Sequence, residues 1–176
     1  MGTRDRYYVE DYYEIVSIIQ ILLNIKNKNI FYWGSSAGGT ASIALSTYHE
    51  GTTAIANNPQ TNILTDSPRR RNAIFNNEFH YMDKEEIIEK YYHRLTLATL
   101  MKHKQYVPRL FFIQNIIHEP DVRKNLNPFK DELETSNLNL KNITYWFYHD
   151  KDLGHAPLGL EKSLEYLHTI MQFENF

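Results

Sequence analysis

Ile30-Phe31-Tyr32-Trp33-Gly34-Ser35-Ser36-Ala37-Gly38-Gly39 opens as a short apolar run, breaks into small residues and leads into a helical pattern. A strand that turns this sharply into a helix holds its turn residue in a strained backbone conformation, with the side chain lifted clear of the sheet. Here that residue is Ser36. Gly34 and Gly38 flank it at the two positions where bulkier side chains are expected to collide. A bare G-x-S-x-G pattern recurs by chance, and it is the strand before and the helix after that give it meaning. Ser36 is therefore read as a nucleophile, Ser35 as its spectator neighbour, and the backbone N–H of Ala37 as a donor to a developing oxyanion.

Working outward, Tyr8, Tyr12, Ile15, Ile19 and Leu22 recur at helical spacing and predict an amphipathic helix over about 8–26. A strand at 30–34 follows, then a helix from Ala37 to Tyr48 whose small residues permit close packing on a sheet. Thr52 to Ala56 reads as a second strand, closed by Asn57-Asn58-Pro59. Residues 60–71 are polar and loop-like, and Lys84 to Lys104 predicts one long helix through Ile88, Tyr91, Leu95 and Ala98. A third strand runs from Arg109 to Gln114. It is followed by a helix marked by Val122, Leu126, Phe129 and Leu133, which Pro128 is expected to kink. Ile143 to Tyr148 is the fourth strand, and Leu160, Leu164 and Leu167 mark a closing helix. Strands alternating with helices imply an α/β fold, with a partly or fully parallel sheet of about four strands flanked by helices. We read residues 1–176 as one domain with a helical, cap-like insertion at about 60–106.

A neutral serine is a poor nucleophile. It needs a histidine to take its proton, and the histidine needs a carboxylate to fix its tautomer and stabilise its charge. His155 follows the last predicted strand in a glycine-containing loop, and Glu119 and Asp121 follow the third, so all three fall at one edge of the sheet with Ser36. Pro120 suits the first turn of a helix, which would leave Glu119 facing the sheet edge and turn Asp121 into the helix. Glu119 is thus the favoured acid and Asp121 its alternative. Asp150 and Asp152 share the loop of His155, and Asp152 is expected to cap its turn. His149, Asp150, Asp152 and His155 also read as a metal cluster, a reading set aside because the chain supplies no clear further ligand; no metal is expected.

The chain resembles the α/β-hydrolase superfamily, in particular its C-terminal part. More narrowly it resembles the bacterial glycan O-acetyltransferase-like proteins, which include the acetylating component of the accessory secretion system and capsule acetylation enzymes. The residues that carry the resemblance are Trp33 to Gly39, Phe112-Ile113-Gln114-Asn115 leading to Glu119, and Asp152-Leu153-Gly154-His155-Ala156-Pro157. It implies Ser36 as nucleophile, Glu119 or Asp121 as acid, His155 as base, an acetylated intermediate and a carbohydrate acceptor. The expected activity is serine-dependent acyl transfer, as esterase or O-acetyltransferase, on O-acetyl groups of a bacterial surface or capsular polysaccharide. The alternative is a hydrolase-fold subunit serving binding or assembly. Hydrolases of this kind place strands before the nucleophile strand, one loop of which donates a second N–H to the oxyanion. The chain begins at the helix before that strand, which leaves the strand at 30–34 as a bare sheet edge. Self-association or a preceding segment is expected.

Composition narrows the partners. The 176 residues are 42% hydrophobic with a net charge of −2, which gives no global attraction to nucleic acid or an anionic membrane. The absence of cysteine excludes disulfides and thiolate metal sites and fits a reducing, cytoplasmic compartment. No apolar stretch is long enough for a membrane span, and the polar start, Met1 to Arg6, is no signal-peptide core. The partners expected are a small-molecule ester or acyl donor and a carbohydrate acceptor. No cofactor is required, with acetyl-CoA a candidate donor for a transferase. Arg69, Arg70 and Arg71 are candidate contacts to an anionic glycan or a phosphate-bearing donor. Tyr7, Tyr8, Tyr12 and Tyr13 read as helix packing, and His49, His80, His93, His103 and His168 as surface or core residues. The sequon Asn142-Ile143-Thr144 is expected to be inaccessible inside a strand.

Overall fold

The computed structural model describes residues 8–79 and 82–173; residues 1–7, with Tyr7, and His80 lie outside them. The chain runs α1 (Tyr8–Leu23), β1 (Phe31–Ser35), α2 (Ala37–Tyr48), β2 (Thr53–Asn57), α3 (Pro68–Glu78), α4 (Lys84–Leu95) and α5 (Leu97–Lys104). It continues through β3 (Arg109–Asn115), a one-turn helix α6 (Glu119–Asp121), α7 (Asn127–Glu134), β4 (Ile143–Tyr148) and α8 (Leu160–Phe173). The strands form one four-stranded sheet in the order β1-β2-β3-β4. All neighbours are parallel, with Ser35 level with Asn57 and Asn115 level with Tyr148. The carboxyl ends of all four strands therefore meet at one edge.

The inner strands are apolar on both faces, as a parallel sheet covered on both sides requires. Ala54, Ala56, Leu110 and Phe112 face one core with Ile43 of α2, Leu100 of α5 and Phe129 of α7. Ile55, Phe111 and Ile113 face the other, where Ile170 of α8 covers them. A third cluster, Phe75, Phe79, Ile87 and Leu95, belongs to the segment between β2 and β3. No helix among the described residues is long and apolar enough to cross a membrane.

Several expectations change. The long helix over 84–104 is broken at Thr96, whose extended backbone ends α4 and whose hydroxyl accepts the N–H of Thr99 to cap α5. The segment after Pro68 is helical: Ser67 caps it and Pro68 supplies the fixed φ of a first turn, so the three arginines sit at the start of α3 and not in a loop. Pro128 also lies in a first turn, that of α7, and the irregularity ahead of it is a π-helical stretch, Val122–Leu126, closed by Asn127 N–H donating to Val122 O. The packed faces of the terminal helices are rotated as well. Of α1 only Val9 is buried, while Tyr12, Ile15, Ile19 and Leu22 stand exposed. In α8 Ile170 is buried and Leu160 and Leu164 are exposed. Asn142 precedes β4 and is exposed, so the sequon is not enclosed in a strand.

Candidate active site

Ser36 occupies the turn between β1 and α2 with φ 53° and ψ −120°, a conformation that costs a non-glycine residue about 1–3 kcal/mol. It is held there from both sides: its N–H donates to Asn57 O at 3.0 Å, and its carbonyl accepts the N–H of Thr40 at 3.1 Å. Gly34 is compulsory, because a Cβ there would lie 2.1 Å from Gly38 O. Gly38 is not, because a Cβ at that position meets nothing within 4 Å. The second tight position is Gly39, whose Cβ would fall 3.0 Å from Pro59 Cβ. The N–H of Ala37, in the first turn of α2, stands at the positive end of the helix beside the serine.

Two distant loops bring their side chains to this turn. His155 Nε2 lies 2.8 Å from Ser36 Oγ, and His155 Nδ1 lies 2.6 Å from Asp121 Oδ2. One tautomer satisfies both contacts: Nδ1–H donates to the carboxylate and Nε2 accepts the serine hydroxyl. The carboxylate that reaches the ring is thus Asp121, not the favoured Glu119. Glu119 has a side chain 70% exposed and pairs with Arg123 at 3.2 Å, whereas the side chain of Asp121 is only 9% exposed. The reason is geometric. The chain enters α6 at Glu119, Pro120 takes the first turn, and that turn swings Asp121 inward while Glu119 projects along the helix surface.

The loop that presents His155 is tied to the sheet by a row of buried amides that sequence reasoning passed over. Asn115 Nδ2 donates to Asp150 O at 2.7 Å and Gly154 O at 2.9 Å, and Asn115 Oδ1 accepts the N–H of Asp150 at 3.1 Å. On the far side of His155, Asn57 Oδ1 accepts the N–H of Leu158 at 3.0 Å, and Asn58 Nδ2 donates to Ala156 O at 3.4 Å. Asn57 and Asn58 also donate to the Tyr148 hydroxyl; burial pushes this phenol upward in pKa, and the two amide contacts oppose that shift. Within the loop the turn is capped by Asp150, not by Asp152: Asp150 Oδ1 accepts the N–H groups of Asp152 and Leu153. The signal was in the sequence, as asparagines at the carboxyl ends of β2 and β3, where a buried polar side chain needs partners.

A cavity of 580 Å³ opens beside the serine turn, lined by Ala37 and His155 and extending past Tyr12, Ile74 and Phe79. Arg70 lines it, 4.0 Å from Asp66. Arg69 does not line it, and Arg71 turns away to donate to Leu64 O at 3.0 Å. The quartet of His149, Asp150, Asp152 and His155, set aside as a metal cluster, is not assembled: Asp150 caps the turn while His149 and Asp152 are exposed. His49 is buried with Nδ1 2.9 Å from the Tyr32 hydroxyl, and His93 stacks on His103.

The fold is that of the α/β hydrolases. The chain is similar to the dipeptidyl peptidase 4 of Porphyromonas gingivalis, with a TM-score of 0.65 and 18% identity over 98% of this chain and 23% of that one. It is also similar to the capsule O-acetyltransferase of Neisseria meningitidis serogroup A, with a TM-score of 0.63 and 19% identity over 92% of this chain and 64% of that one. A third relation is to the acetyl xylan esterase of Paenibacillus sp. R4, with a TM-score of 0.51 and 17% identity over 96% of this chain and 53% of that one. The chain thus spans less than two thirds of each of these proteins. No family model and no curated protein sequence matches it.

Proposed function

We propose that the protein is a serine-dependent acyl-transfer enzyme, esterase or O-acetyltransferase, in which Ser36 is the nucleophile, His155 the base and Asp121 the acid. The observation that carries this reading is the unbroken relay Asp121 Oδ2, His155, Ser36 Oγ, at 2.6 and 2.8 Å, on a strained strand-to-helix turn. Ser36 Oγ attacks the acyl carbon as its proton passes to His155 Nε2, and Asp121 stabilises the imidazolium. The Ala37 N–H accommodates the oxyanion. The same proton leaves with the alcohol, an acyl-serine forms, and water or a sugar hydroxyl, deprotonated by His155, releases it.

The substrate class we propose is O-acetyl on a bacterial surface or capsular polysaccharide. It is supported by the fold shared with proteins whose names are capsule O-acetyltransferase and acetyl xylan esterase, and by a cavity with Arg70 on its wall. The whole reaction runs on protein groups with no cofactor beyond an acyl donor. Acetate release from acetylated glycans is the test of this class, and acetyl transfer from a donor such as acetyl-CoA onto the deacetylated glycan separates transferase from esterase.

A second reading, a binding or assembly subunit, is favoured by one feature: the chain spans less than two thirds of the proteins that share its fold, and an oxyanion hole needs a second donor besides the Ala37 N–H. Loss of a single donor costs such enzymes about 10²- to 10³-fold in turnover. Hydrolysis of p-nitrophenyl acetate abolished by Ser36→Ala supports the enzyme, and no turnover in the folded chain supports the subunit.

A further inference from the structure

Two imidazoles meet one carboxylate oxygen in the cavity beside Ser36. His155 Nδ1 lies 2.6 Å and His118 Nδ1 2.9 Å from the same Asp121 Oδ2. One ligand atom from each of the three residues lies within 4.8 Å of the others. The His118 contact is out of line for a hydrogen bond, and that nitrogen is shielded from solvent. A buried ring nitrogen without a hydrogen bond is unfavourable unless something else engages it. Acyl transfer as derived above makes no use of His118.

We propose that His118, Asp121 and His155 bind a divalent transition metal of the zinc class, and that its binding switches acyl transfer off. The site itself stands on the three side chains; only the switch rests on the serine-enzyme reading. Two imidazole nitrogens and a carboxylate oxygen are a zinc donor set, and three protein ligands leave a fourth position for water. Donors at zinc bonding distance around a tetrahedral ion stand roughly 3.3 Å apart, so each ring must back away from Oδ2 by roughly half an ångström and the widest donor pair, within 4.8 Å, must close. The rings are tilted 43° with centroids 5.9 Å apart, so they are not stacked against such a movement.

The switch follows from the tautomer. A metal on Nδ1 leaves the neutral ring its single N–H on Nε2, the nitrogen that faces Ser36. The proton moves from Nδ1 to Nε2, nothing else is consumed, and the serine loses its acceptor.

The test is a calorimetric titration of zinc chloride, in a non-chelating buffer, into the Ser36→Ala variant, which reads the site without any need for turnover. One ion per chain is expected. Adding His118→Ala, or separately Asp121→Asn, should weaken binding at least about tenfold, the lower end of what even the loss of an outer-shell partner costs. Circular dichroism checks that each variant is folded. Absence of zinc binding, or equal affinity with His118→Ala in a folded chain, overturns the site. For the switch, zinc should slow fluorophosphonate labelling of the unsubstituted chain and a chelator should restore it; labelling unaffected by site-filling zinc overturns the switch. A chain that binds zinc yet is never labelled would sink the serine-enzyme reading and leave the metal site standing.

Discussion

Around His155 every turn of chain is tied to the sheet by a buried amide, whereas along α1 the largest apolar side chains stand in solvent. Asn57, Asn58 and Asn115 fix residues 150, 154, 156 and 158 of the histidine loop. On α1, by contrast, Ile21 and Leu22 are 78% and 77% exposed, and Trp33 of the edge strand β1 is exposed near them in the chain. Ile18, Ile19, Ile21, Leu22 and Leu23 are all exposed toward the end of α1, and an apolar patch of this kind marks an interaction surface. The histidine loop is therefore anchored within the chain, while the α1 flank leaves apolar side chains in solvent. We expect the geometry of the site and the state of association to be separable, because Ile21 and Leu22 lie at the opposite end of α1 from Tyr8, Val9 and Tyr12, which line the cavity.

The largest effects should come from the anchored region. Asp121→Asn is expected to lower kcat for p-nitrophenyl acetate about 10⁴-fold, the cost of a misplaced tautomer, while Glu119→Gln stays within about twofold. Equal losses from the two would undo the assignment of the acid. Gly34→Ala should prevent stable folding, since its Cβ would lie 2.1 Å from Gly38 O, whereas Gly38→Ala should leave Tm unchanged or slightly raised. Thermal melts of the pair decide this.

Smaller effects should follow at the loop anchor and then the flank. Asn115→Ala removes four hydrogen bonds and should cost about 1–3 kcal/mol in denaturant unfolding together with a fall in kcat that leaves KM nearly unchanged. On the flank, we expect the unsubstituted chain to sediment above its 20.9 kDa monomer mass, and the double change Ile21→Glu with Leu22→Glu to shift it toward monomer without loss of activity. Unfolding free energy should move by no more than about 0.5 kcal/mol. A monomer at the start would contradict the flank's reading, and activity lost with the double change would show that the two regions are not separable.

The sheet was legible because parallel central strands announce themselves. Leu110 to Ile113 is apolar at every position, and β4 runs over the residues expected, Ile143–Tyr148. The serine turn was legible because Gly34 has a steric cause that sequence spacing carries. Less legible was the choice of acid, which hangs on how one proline-containing turn rotates two carboxylates that lie two residues apart. Periodicity failed for α1 and α8 for a physical reason: both helices carry apolar residues on more than one face, so spacing names a stripe without saying which stripe the sheet covers. The asparagines were visible but mute, since a polar residue at a strand end reads as a loop until its partners are in place.

Covalent labelling with a fluorophosphonate, followed by mass spectrometry of the labelled peptide, tests the serine reading most directly. We expect a single adduct on Ser36, absent in Ser36→Ala and strongly slowed in His155→Ala. An adduct on another residue, or none on a chain shown to be folded, would contradict it.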